Sequence, residues 1–406
     1  MRIIIKKFGG TSLATPENRE MAANKIIGSL KSGYKTVVVV SAIGRNGDPY
    51  ATDTLISFLQ SVYGDTHPRE MDIAMSVGEI ISSVVMANTL RSKGYDSIAV
   101  TGWQAGIITD GNHGNATVLN VNPNYLLEAL KKGKIPIVAG FQGETVSGEI
   151  TTLGRGGSDT TAAVLGKALA AETIEIYTDV DGIMTADPHI VSNASVIRHI
   201  TYSEIFQIAD QGAKVIHPKA VEIAGDAGIP IVIKNTMNDS PGTVITSSYT
   251  RKKLMNSNTS ERLITSIAYI TGRTQITIIT DKGIDEQKEI LLRLANNHIS
   301  IDIINIFPDK MVFTIDGFLT DKAVNIINEI NNNFRVLNNC TKVSVIGERM
   351  RGVPGVMSRI IQALTFNKIE VLQTSDSHST ISCLVKGEDT ISAVLALHEE
   401  FRLFMQ

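Results

Sequence analysis

Cysteine is scarce in this chain: two occur among 406 residues, and neither belongs to a CxxC or His-paired spacing. This argues against a disulfide framework or a structural zinc site and is typical of a protein from a reducing compartment. The chain also has no large excess of positive or negative charge. Its net charge of −3 and its pI near 6.3 give no basic surface for binding nucleic acid. The apolar run in MRIIIKKFGG is too short for a signal peptide, and we expect no membrane-spanning segment. These absences predict a soluble, cytoplasmic protein that binds neither nucleic acid nor membrane.

Several common catalytic signatures are missing as well. There is no GxxxxGK[ST] loop, no HRD and DFG pair, and no GxGxxG after the first apolar run, which argues against P-loop, protein-kinase and dinucleotide-binding folds. The eight histidines form no HxxxH pair, so no dedicated transition-metal site is expected. No GxSxG elbow occurs either, which leaves open only a Ser–His–Asp triad assembled from distant residues.

What the first part of the chain does contain is a regular alternation of apolar runs and helical segments. Runs rich in β-branched residues occur at 2–5, 36–40, 97–100, 135–140, 174–178 and 229–233. Because they are apolar throughout, they are typical of strands buried on both faces of a parallel sheet. Helical segments separate them, such as the one between Pro16 and Gly33. The pattern predicts an α/β fold, an α/β/α sandwich with a mainly parallel central sheet, over residues 1–246.

The pattern changes after a polar stretch at 247–263, which we interpret as a linker. Beyond it, the order strand, helix, strand, strand, helix occurs twice. The repeat predicts two small α+β, ferredoxin-like modules at 264–340 and 341–406, with interleaved modules as a variant of this arrangement. One continuous α+β domain is the alternative.

Two glycine-rich strand ends are suited to binding anions. In KKFGGTS, Gly9–Gly10 lets backbone N–H groups approach a phosphate and Lys7 supplies a charge, unless this is a tight turn with a solvated lysine. In GRGGSD, the planar fork of Arg155 suits a carboxylate or a phosphate. Asp159 lies in the first turn of the next helix, where it is suited either to catalysis or to capping that helix.

Two further loops and one helix carry notable charges. In YTDVDGIMTADP, Asp179 and Asp187 could hold a ribose or a phosphate-bound Mg²⁺, although acidic turns are common on surfaces. Lys214 in QGAKVIHP could reach phosphates or could be an ordinary surface lysine. Glu79 lies in an apolar helix, where a carboxylate is costly to bury without a cation. Thr52 adds a polar group on an earlier segment. Taken together, these charges suit a substrate with carboxylates and an ammonium, bound beside ATP·Mg²⁺.

These motifs together resemble those of aspartokinases, members of the amino-acid kinase superfamily that carry C-terminal ACT regulatory modules. The resemblance is carried by KFGGTS, GE at 78–79, TTLGRGGSD, YTDVDGIMTADP and GAKVIHP, in that order, and covers essentially the whole chain. It implies an enzyme that transfers a phosphoryl group from ATP, with Mg²⁺, to the side-chain carboxylate of L-aspartate. The product would be 4-phospho-L-aspartate, in the first step of lysine, threonine and methionine biosynthesis. We expect no second catalytic domain.

The resemblance also implies a role for each matching residue. As catalytic residues, Lys7 would neutralise the transferred phosphoryl group and Asp159 would orient Lys7. Arg155 would bind the α-carboxylate of aspartate and Glu79 its α-ammonium. The implied aspartate-binding residues are Thr52, Glu79, Arg155 and Ser158. The implied nucleotide-binding residues are Lys7, Gly9, Gly10, Ser41, Thr178, Asp179, Asp187 and Lys214.

The repeated C-terminal half resembles two ACT modules, which implies a homodimer paired through them and feedback inhibition by an end-product amino acid. Lysine is the first expectation for this effector and threonine the second. The candidate effector-binding residues are Asp302, Val353, Pro354, Gly355 and Val356. An ordinary amphipathic strand is the alternative for Asp302 in SIDIINI.

Two other functions fit the same residues. One is a kinase of the same fold that phosphorylates a different carboxylate, such as that of glutamate. The other is an amino-acid-binding regulatory protein whose kinase domain is inactive. The presence of Lys7, Arg155 and Asp159 argues against this second function.

Overall fold

The computed structural model describes residues 1–212, 216–247, 263–280, 283–348, 350 and 353–405, and it divides into two compact units. The first unit comprises Met1–Ile183, Val196–Ala209 and the described part of 214–259. The second comprises Met184–Ser195 and the described parts of 210–213 and 260–406. Residues 184–195 and 210–212, which the sequence pattern placed in the α/β domain at 1–246, therefore belong to the second unit. The predicted linker, 247–263, lies outside the described residues except at its two ends, and the proposed domain boundaries stay predictions.

Each of the six apolar runs forms a strand of one sheet in the first unit, which confirms the predicted parallel core. The strands of this unit are β1 Ile3–Phe8, β2 Lys35–Val40, β3 Ser97–Val100, β4 Ile107–Thr109, β5 Val118–Val121, β6 Ile135–Ala139, β7 Gln142–Thr145, β8 Ile150–Thr152, β9 Thr173–Thr178, β10 His199–Thr201, β11 Ile231–Asn235 and β12 Thr243–Thr246. The main sheet has the order β10-β12-β11-β9-β1-β2-β6-β3 in the described ranges. Its strands from β11 to β3 pair in parallel, and β12 is antiparallel to β11. The central position of β1 places its end at the middle of the sheet edge.

The described part of the first unit also contains helices. They are α1 Pro16–Lys31, α2 Thr52–Val62, α3 Pro68–Ser92, α4 Asn124–Lys131, α5 Gly157–Ala168, α6 Tyr202–Asp210 apart from its last residue, and α7 Pro218–Asp226. At the start of α1, the side chain of Thr15 accepts the N–H of Asn18 at 3.2 Å, and Pro16 occupies the first turn. The helix stops before Gly33, whose φ of 84° is one that glycine adopts without strain.

The long helix α3 bears on the expectation that the chain contains no membrane-spanning segment. Its 25 residues are long and apolar enough to cross a membrane by length and composition. Half of its most apolar stretch is buried within the protein, and the helix packs against β3, β6 and β8. This is the environment of a core helix, so its apolar composition is explained by packing.

A second, smaller sheet in the first unit was not anticipated. Its order in the described ranges is β5-β4-β7-β8, and its strands are three or four residues long. Strands this short, with β5 half exposed, give no apolar run that a sequence pattern can detect. The sheet matters for the site because β8 ends at Thr152, just before the GRGGSD loop.

The second unit is built on an antiparallel sheet that both C-terminal repeats share. Its strands are β13 Ser266–Ile279, β14 Ile304–Ile306, β15 Lys310–Asp316, β16 Phe334–Ile346, β17 Gln373–Asp376 and β18 Thr380–Lys386, and its helices are α8 Ile284–Asn296, α9 Thr320–Asn328, α10 Val356–Phe366 and α11 Thr390–Glu400. The order in the described ranges is β14-β15-β13-β16-β18-β17. In the central pair, β13 has 14 residues and β16 has 13, and β16 runs across the proposed module boundary at 340/341.

The two halves of this sheet repeat each other in backbone structure but have separate cores. In the first half the N–H of Asp302 donates to the carbonyl of Thr314 at 2.9 Å, and in the second half that of Leu372 donates to the carbonyl of Leu384 at 2.8 Å. Phe313 and Ile290 belong to the hydrophobic cluster of the first half. A different cluster, with α10 and α11, fills the second half. Two α+β repeats with their own cores confirm the predicted ACT-type fold class.

Buried charges lie beneath the central strands of the first unit. Lys6 Nζ lies 2.5 Å from one carboxylate oxygen of Glu175, and Lys234 Nζ lies 2.8 Å from the other. Tyr177 donates its hydroxyl to the same carboxylate at 2.9 Å. Burial alone would raise the pKa of Glu175, but the two lysines outweigh it and lower this pKa to about 2.

Replacing Glu175 by Gln should destabilise the protein by about 3–5 kcal/mol, because Lys6 would stay buried without its counter-ion. Urea unfolding at pH 7 measures this loss. Because the pKa of Glu175 is lowered on folding, its stabilisation is present above the unfolded pKa of 4.5 and is lost as the pH falls toward 2. The variant should lack this acid dependence. Tyr177→Phe removes one donor to Glu175 and one acceptor for Lys6 but leaves the charges in place, so it is the matched control and should cost only about 1–2 kcal/mol. Equal stability of Glu175→Gln and the unmodified protein would contradict the prediction.

Candidate active site

A cavity of about 470 Å³ opens in the first unit where β1 and β2 end and where α2 and α5 begin. Ligands of parallel α/β sheets bind at such carboxyl edges. The cavity brings together residues that are far apart in the sequence and that we singled out from their motifs: Lys7, Gly10, Ser41, Thr52, Glu79, Arg155, Ser158 and Asp159. Their individual roles stay predictions, but their proximity is a property of the fold.

Lys7 and Asp159 form an ion pair within this cavity. Lys7 Nζ lies 2.7 Å from Asp159 Oδ1, and both side chains are largely buried. The other oxygen, Oδ2, accepts the backbone N–H of His217 at 3.3 Å. The contacts of the Asp159 carboxylate are therefore to Lys7 and His217, which lie outside helix α5, and the cap residue of that helix is Gly156. The place of Asp159 in the first turn still favours the helix dipole.

Glycines allow the loops around this pair to approach closely. A Cβ on Gly10 would lie 2.5 Å from the carbonyl oxygen of Ala42, and one on Gly156 would lie 2.3 Å from the Cβ of His217. Gly156 also has a φ of 68°, in the left-handed region. Larger residues would therefore push the KFGG and GRGG loops out of place.

Glu79 is the least satisfied charge in the cavity. Its side chain is 3% exposed, Oε1 accepts the N–H of Ala42 at 3.1 Å, and Oε2 has no hydrogen-bond partner among the described residues. Burial raises the pKa of Glu79 to about 8, and the hydrogen bond from Ala42 opposes this only in part. A ligand cation in the cavity would stabilise the ionised carboxylate.

Arg155, Thr52 and Ser158 line the same cavity as Glu79. Arg155 is exposed and forms no ion pair with any residue that the structure describes. Thr52 begins α2, and Ser158 is buried beside Gly140 at the start of α5. An unpaired guanidinium and an unpaired carboxylate in one cavity suit a zwitterionic ligand.

The residues expected to bind nucleotide are only partly brought together. Ser41 lines the cavity, and its N–H donates to the carbonyl of Phe8 at 3.1 Å. Gly9 follows β1, where its N–H donates to the carbonyl of Tyr177 at 3.3 Å. Thr178 ends β9, and its hydroxyl donates to Asp179 at 3.1 Å. Neither Thr178 nor Asp179 lines the cavity itself.

The two other nucleotide candidates are Asp187 and Lys214. Asp187 belongs to the second unit, where its carboxylate accepts the hydroxyl of Tyr269 at 2.9 Å and the N–H of His189 at 2.9 Å. Lys214 lies outside the described residues. Their nucleotide-binding roles stay predictions.

The candidate effector residues are all in the second unit. Asp302 lies 2.6 Å from Lys342 Nζ and 3.7 Å from Arg273, which is also paired with Asp316. Val353 is exposed, Pro354 follows it, and Gly355 caps α10 with a φ of 94°, which makes Val356 the first, buried residue of that helix. Asp302 is therefore a member of a charged cluster and precedes the strand β14 Ile304–Ile306, and the effector-binding roles of these residues stay predictions.

Two charged groups near the cavity, Arg45 and Asp72, were not predicted from the sequence. Arg45 lines it, and its guanidinium lies 2.6 Å from Asp179 Oδ2. The signal was present, because Arg45 lies between Gly44 and Gly47 directly after a predicted strand. Asp72 is fully buried in α3 behind the cavity, and no spacing in the sequence indicates its partners. In the described ranges, no group of three or more His, Cys, Asp or Glu side chains is arranged to hold a metal ion.

Comparison with known proteins agrees with this architecture. The model of the amino acid kinase family matches residues 1–235, and an ACT domain model matches residues 335–399. Aspartokinase 1 of Bacillus subtilis (strain 168) is 46% identical over 404 residues, which cover 99% of this chain and 100% of that protein. The aspartokinase of Geobacillus stearothermophilus is 37% identical over 410 residues, which cover 99% of this chain and 98% of that protein.

Solved structures show the same fold. E. coli aspartokinase III in complex with aspartate and ADP (R-state) superposes with a TM-score of 0.79 at 24% identity, covering 98% of this chain and 99% of that one. The same enzyme in complex with lysine and aspartate (T-state) gives a TM-score of 0.75 at 25% identity, with the same coverage. At these identities the likeness concerns the fold, and the family assignment is carried by the sequence relatives.

Replacing Glu79 by Gln should stabilise the ligand-free protein, because Gln is uncharged like the protonated carboxyl group. The pKa of Glu79 is raised from 4.5 in the unfolded chain to about 8 in the folded protein, so wild-type stability falls as the pH rises from 4.5 to 8. The gain from Glu79→Gln should therefore be small near pH 5 and largest above pH 8. Thermal unfolding midpoints at these two pH values measure it. If the stability of Glu79→Gln relative to wild type is the same at pH 9 as at pH 5, or lower, the assignment of Glu79 as an unpaired buried acid is contradicted.

Proposed function

Because the chain belongs to the aspartokinase family within the amino acid kinases, we propose that its cavity transfers the γ-phosphoryl group of ATP to the side-chain carboxylate of L-aspartate. The product is 4-phospho-L-aspartate. The observation that supports this most directly is that the Lys7–Asp159 ion pair shares one cavity with an unpaired buried carboxylate, Glu79, and an unpaired guanidinium, Arg155.

The geometry accounts for recognition of an amino acid. Glu79 would accept the α-ammonium group, which would stabilise the ionised carboxylate that burial disfavours. Arg155 would bind the α-carboxylate through its fork, leaving the side-chain carboxylate of the substrate free to react. Thr52 and Ser158, at the first turns of α2 and α5, supply hydroxyl groups on the same cavity wall.

Phosphoryl transfer to a carboxylate depends on neutralising negative charge and needs no general base. A carboxylate is ionised at neutral pH and is therefore already a nucleophile, so no proton must be removed from it. Lys7 would neutralise the negative charge of the transferred phosphoryl group, with the Gly9–Gly10 backbone beside it. Asp159 would hold the ammonium of Lys7 in place through the 2.7 Å contact, and Ser41 and Arg45 would lie toward the nucleotide phosphates.

The residues present also fit Mg²⁺ bound with ATP. Mg²⁺ in kinases is held largely by substrate phosphates and water with one or two protein carboxylates. Asp179, whose carboxylate lies 2.6 Å from the guanidinium of the cavity-lining Arg45, is the candidate protein carboxylate for this ion. The ion would supply charge neutralisation between the phosphates.

Regulation and biological context extend the same proposal. This reaction would be the first step toward lysine, threonine and methionine in the cytoplasm, with feedback inhibition through the ACT region. Lysine is the first candidate effector and threonine the second, since E. coli aspartokinase III has been solved with lysine. A homodimer paired through the ACT region completes the proposal.

Acyl-hydroxamate formation with ATP and Mg²⁺ should be faster with L-aspartate than with L-glutamate. In the same assay, Lys7→Ala should lower kcat about 100- to 1,000-fold, because one positioned charge at the phosphoryl group is lost, and should change the KM for aspartate little. Lys35→Ala, an exposed lysine at the start of β2, is the control and should behave like wild type. Equal or faster turnover of glutamate would refute the substrate assignment, and retained kcat in Lys7→Ala would refute the role of Lys7.

Millimolar lysine should inhibit the wild-type rate, and Asp302→Ala should reduce this inhibition because the carboxylate that could bind an ammonium is removed. The measurement is a titration of lysine, and separately of threonine, at fixed substrate concentrations. Asp321→Ala, an exposed acid in the first turn of α9, should leave the inhibition unchanged. Inhibition by threonine alone would support the second candidate. A rate unaffected by either amino acid, singly or together, would contradict the proposed regulation.

A further inference from the structure

Arg155 is held in place by its loop and not by contacts of its own side chain. Its guanidinium forms no ion pair with a described residue, so the backbone of the GRGG loop decides where it lies in the cavity wall. We propose that Asp72, a residue outside the cavity, is a positioning residue that fixes this loop for recognition of the substrate α-carboxylate. This inference rests on the proposed function, because it assigns Asp72 to the aspartate-binding site.

Asp72 is fully buried in α3, yet each of its carboxylate oxygens has donors. Oδ1 accepts the hydroxyl of Thr152 at 2.5 Å, and both oxygens lie 3.0 Å from the N–H of Gly114. Oδ2 lies 2.8 Å from Nδ1 of His113. A buried carboxylate is tolerated when it is bonded in this way, and it then holds its donors rigidly. Asp72 therefore joins α3 to two separate segments of the chain.

Both segments adjoin Arg155. Thr152 is the last residue of β8 and precedes Arg155 by three positions, while Gly114 itself lines the cavity. The two segments also contact each other, because the N–H of Ala116 donates to the carbonyl of Thr152 at 2.8 Å. A Cβ on Gly154 would lie 2.7 Å from Oδ1 of Asn115, so the turn at 112–116 supports the GRGG loop directly. Asp72 in turn holds this segment through its contacts with His113 and Gly114.

Helix α3 also carries Glu79, the residue proposed to bind the α-ammonium group of the substrate. Asp72 and Glu79 are both buried and are separated by two helical turns, which places them on one face of α3 about 10 Å apart along the axis. The helix would thus fix the distance between the carboxylate that receives the ammonium and the loop that carries the guanidinium. A shift of about 1 Å in such a group can cost on the order of 100-fold in efficiency.

The test is Asp72→Asn, which keeps the size of the side chain but weakens its hold on three donors. The KM for aspartate should rise roughly 10- to 100-fold, while the KM for ATP changes less than about threefold and kcat little. Combined with Arg155→Ala, Asp72→Asn should add less than about twofold to the KM for aspartate, because the group that it positions is already gone. A structural role alone would not produce this non-additivity.

Two further variants keep the test decisive. Thr109→Val breaks the 2.5 Å contact between the hydroxyls of Thr109 and Thr151 in the same small sheet without touching Asp72. It should lower thermal stability and leave the KM for aspartate unchanged. If Asp72→Asn does not fold, Thr152→Val removes one of its donors and should raise the KM for aspartate about 3- to 10-fold.

The possible results separate the two proposals. If wild type does not phosphorylate aspartate, the proposed function fails. If wild type is active and Arg155→Ala raises the KM for aspartate, the inference about Asp72 fails when Asp72→Asn, or Thr152→Val in its place, leaves this KM unchanged. It also fails when both substrates' KM values rise alike, or when the effects of Asp72→Asn and Arg155→Ala multiply.

Discussion

The ion pair between Lys7 and Asp159 connects the end of the central strand β1 to the first turn of α5, and the loops of the active site are arranged around it. A contact of 2.7 Å between largely buried groups requires the two elements to meet closely. The glycines at 10 and 156 permit this, since a side chain on either would collide with a neighbouring loop. The helix dipole of α5 and the backbone N–H of His217 stabilise the carboxylate of the pair. The lysine is thereby held toward the cavity, where a phosphoryl group needs a positive charge.

The remaining charges of the site are not satisfied within the protein. Glu79 is buried with one oxygen unpartnered among the described residues, and Arg155 forms no ion pair there. Burying Glu79 costs stability at neutral pH, as its raised pKa indicates. Such a cost is characteristic of functional sites, where charges are arranged for a ligand and not for the folded state alone. In contrast, Glu175 is paired with two lysines and its pKa is lowered, so this buried acid stabilises the fold.

The second unit repeats its backbone but not its charges. Asp302 and Leu372 make equivalent backbone hydrogen bonds in the two halves, yet only the first half carries a carboxylate at this position. That carboxylate is joined to Lys342, which lies in β16, the strand that continues from one half into the other. The repeat therefore carries a charged side chain in one half and an apolar side chain in the other at the same backbone position.

The amino-acid sequence by itself determined the parallel core, because uninterrupted β-branched runs alternating with helical segments are typical of strands buried on both faces of a parallel sheet. It also determined the glycine loops and the identity of the residues that carry charge, and the family resemblance followed from those motifs.

Only the tertiary structure decided the partners of those charges. Asp159 was equally suited to capping its helix or to reaching Lys7, and the choice depends on how closely β1 and α5 approach. Asp72 gave no signal, because its donors come from positions about 40 and 80 residues away and meet it only when the small sheet packs on α3. The lengths of β13 and β16 were also decided by the tertiary structure, since a strand extends as far as its neighbours offer hydrogen bonds, and those neighbours are distant in sequence.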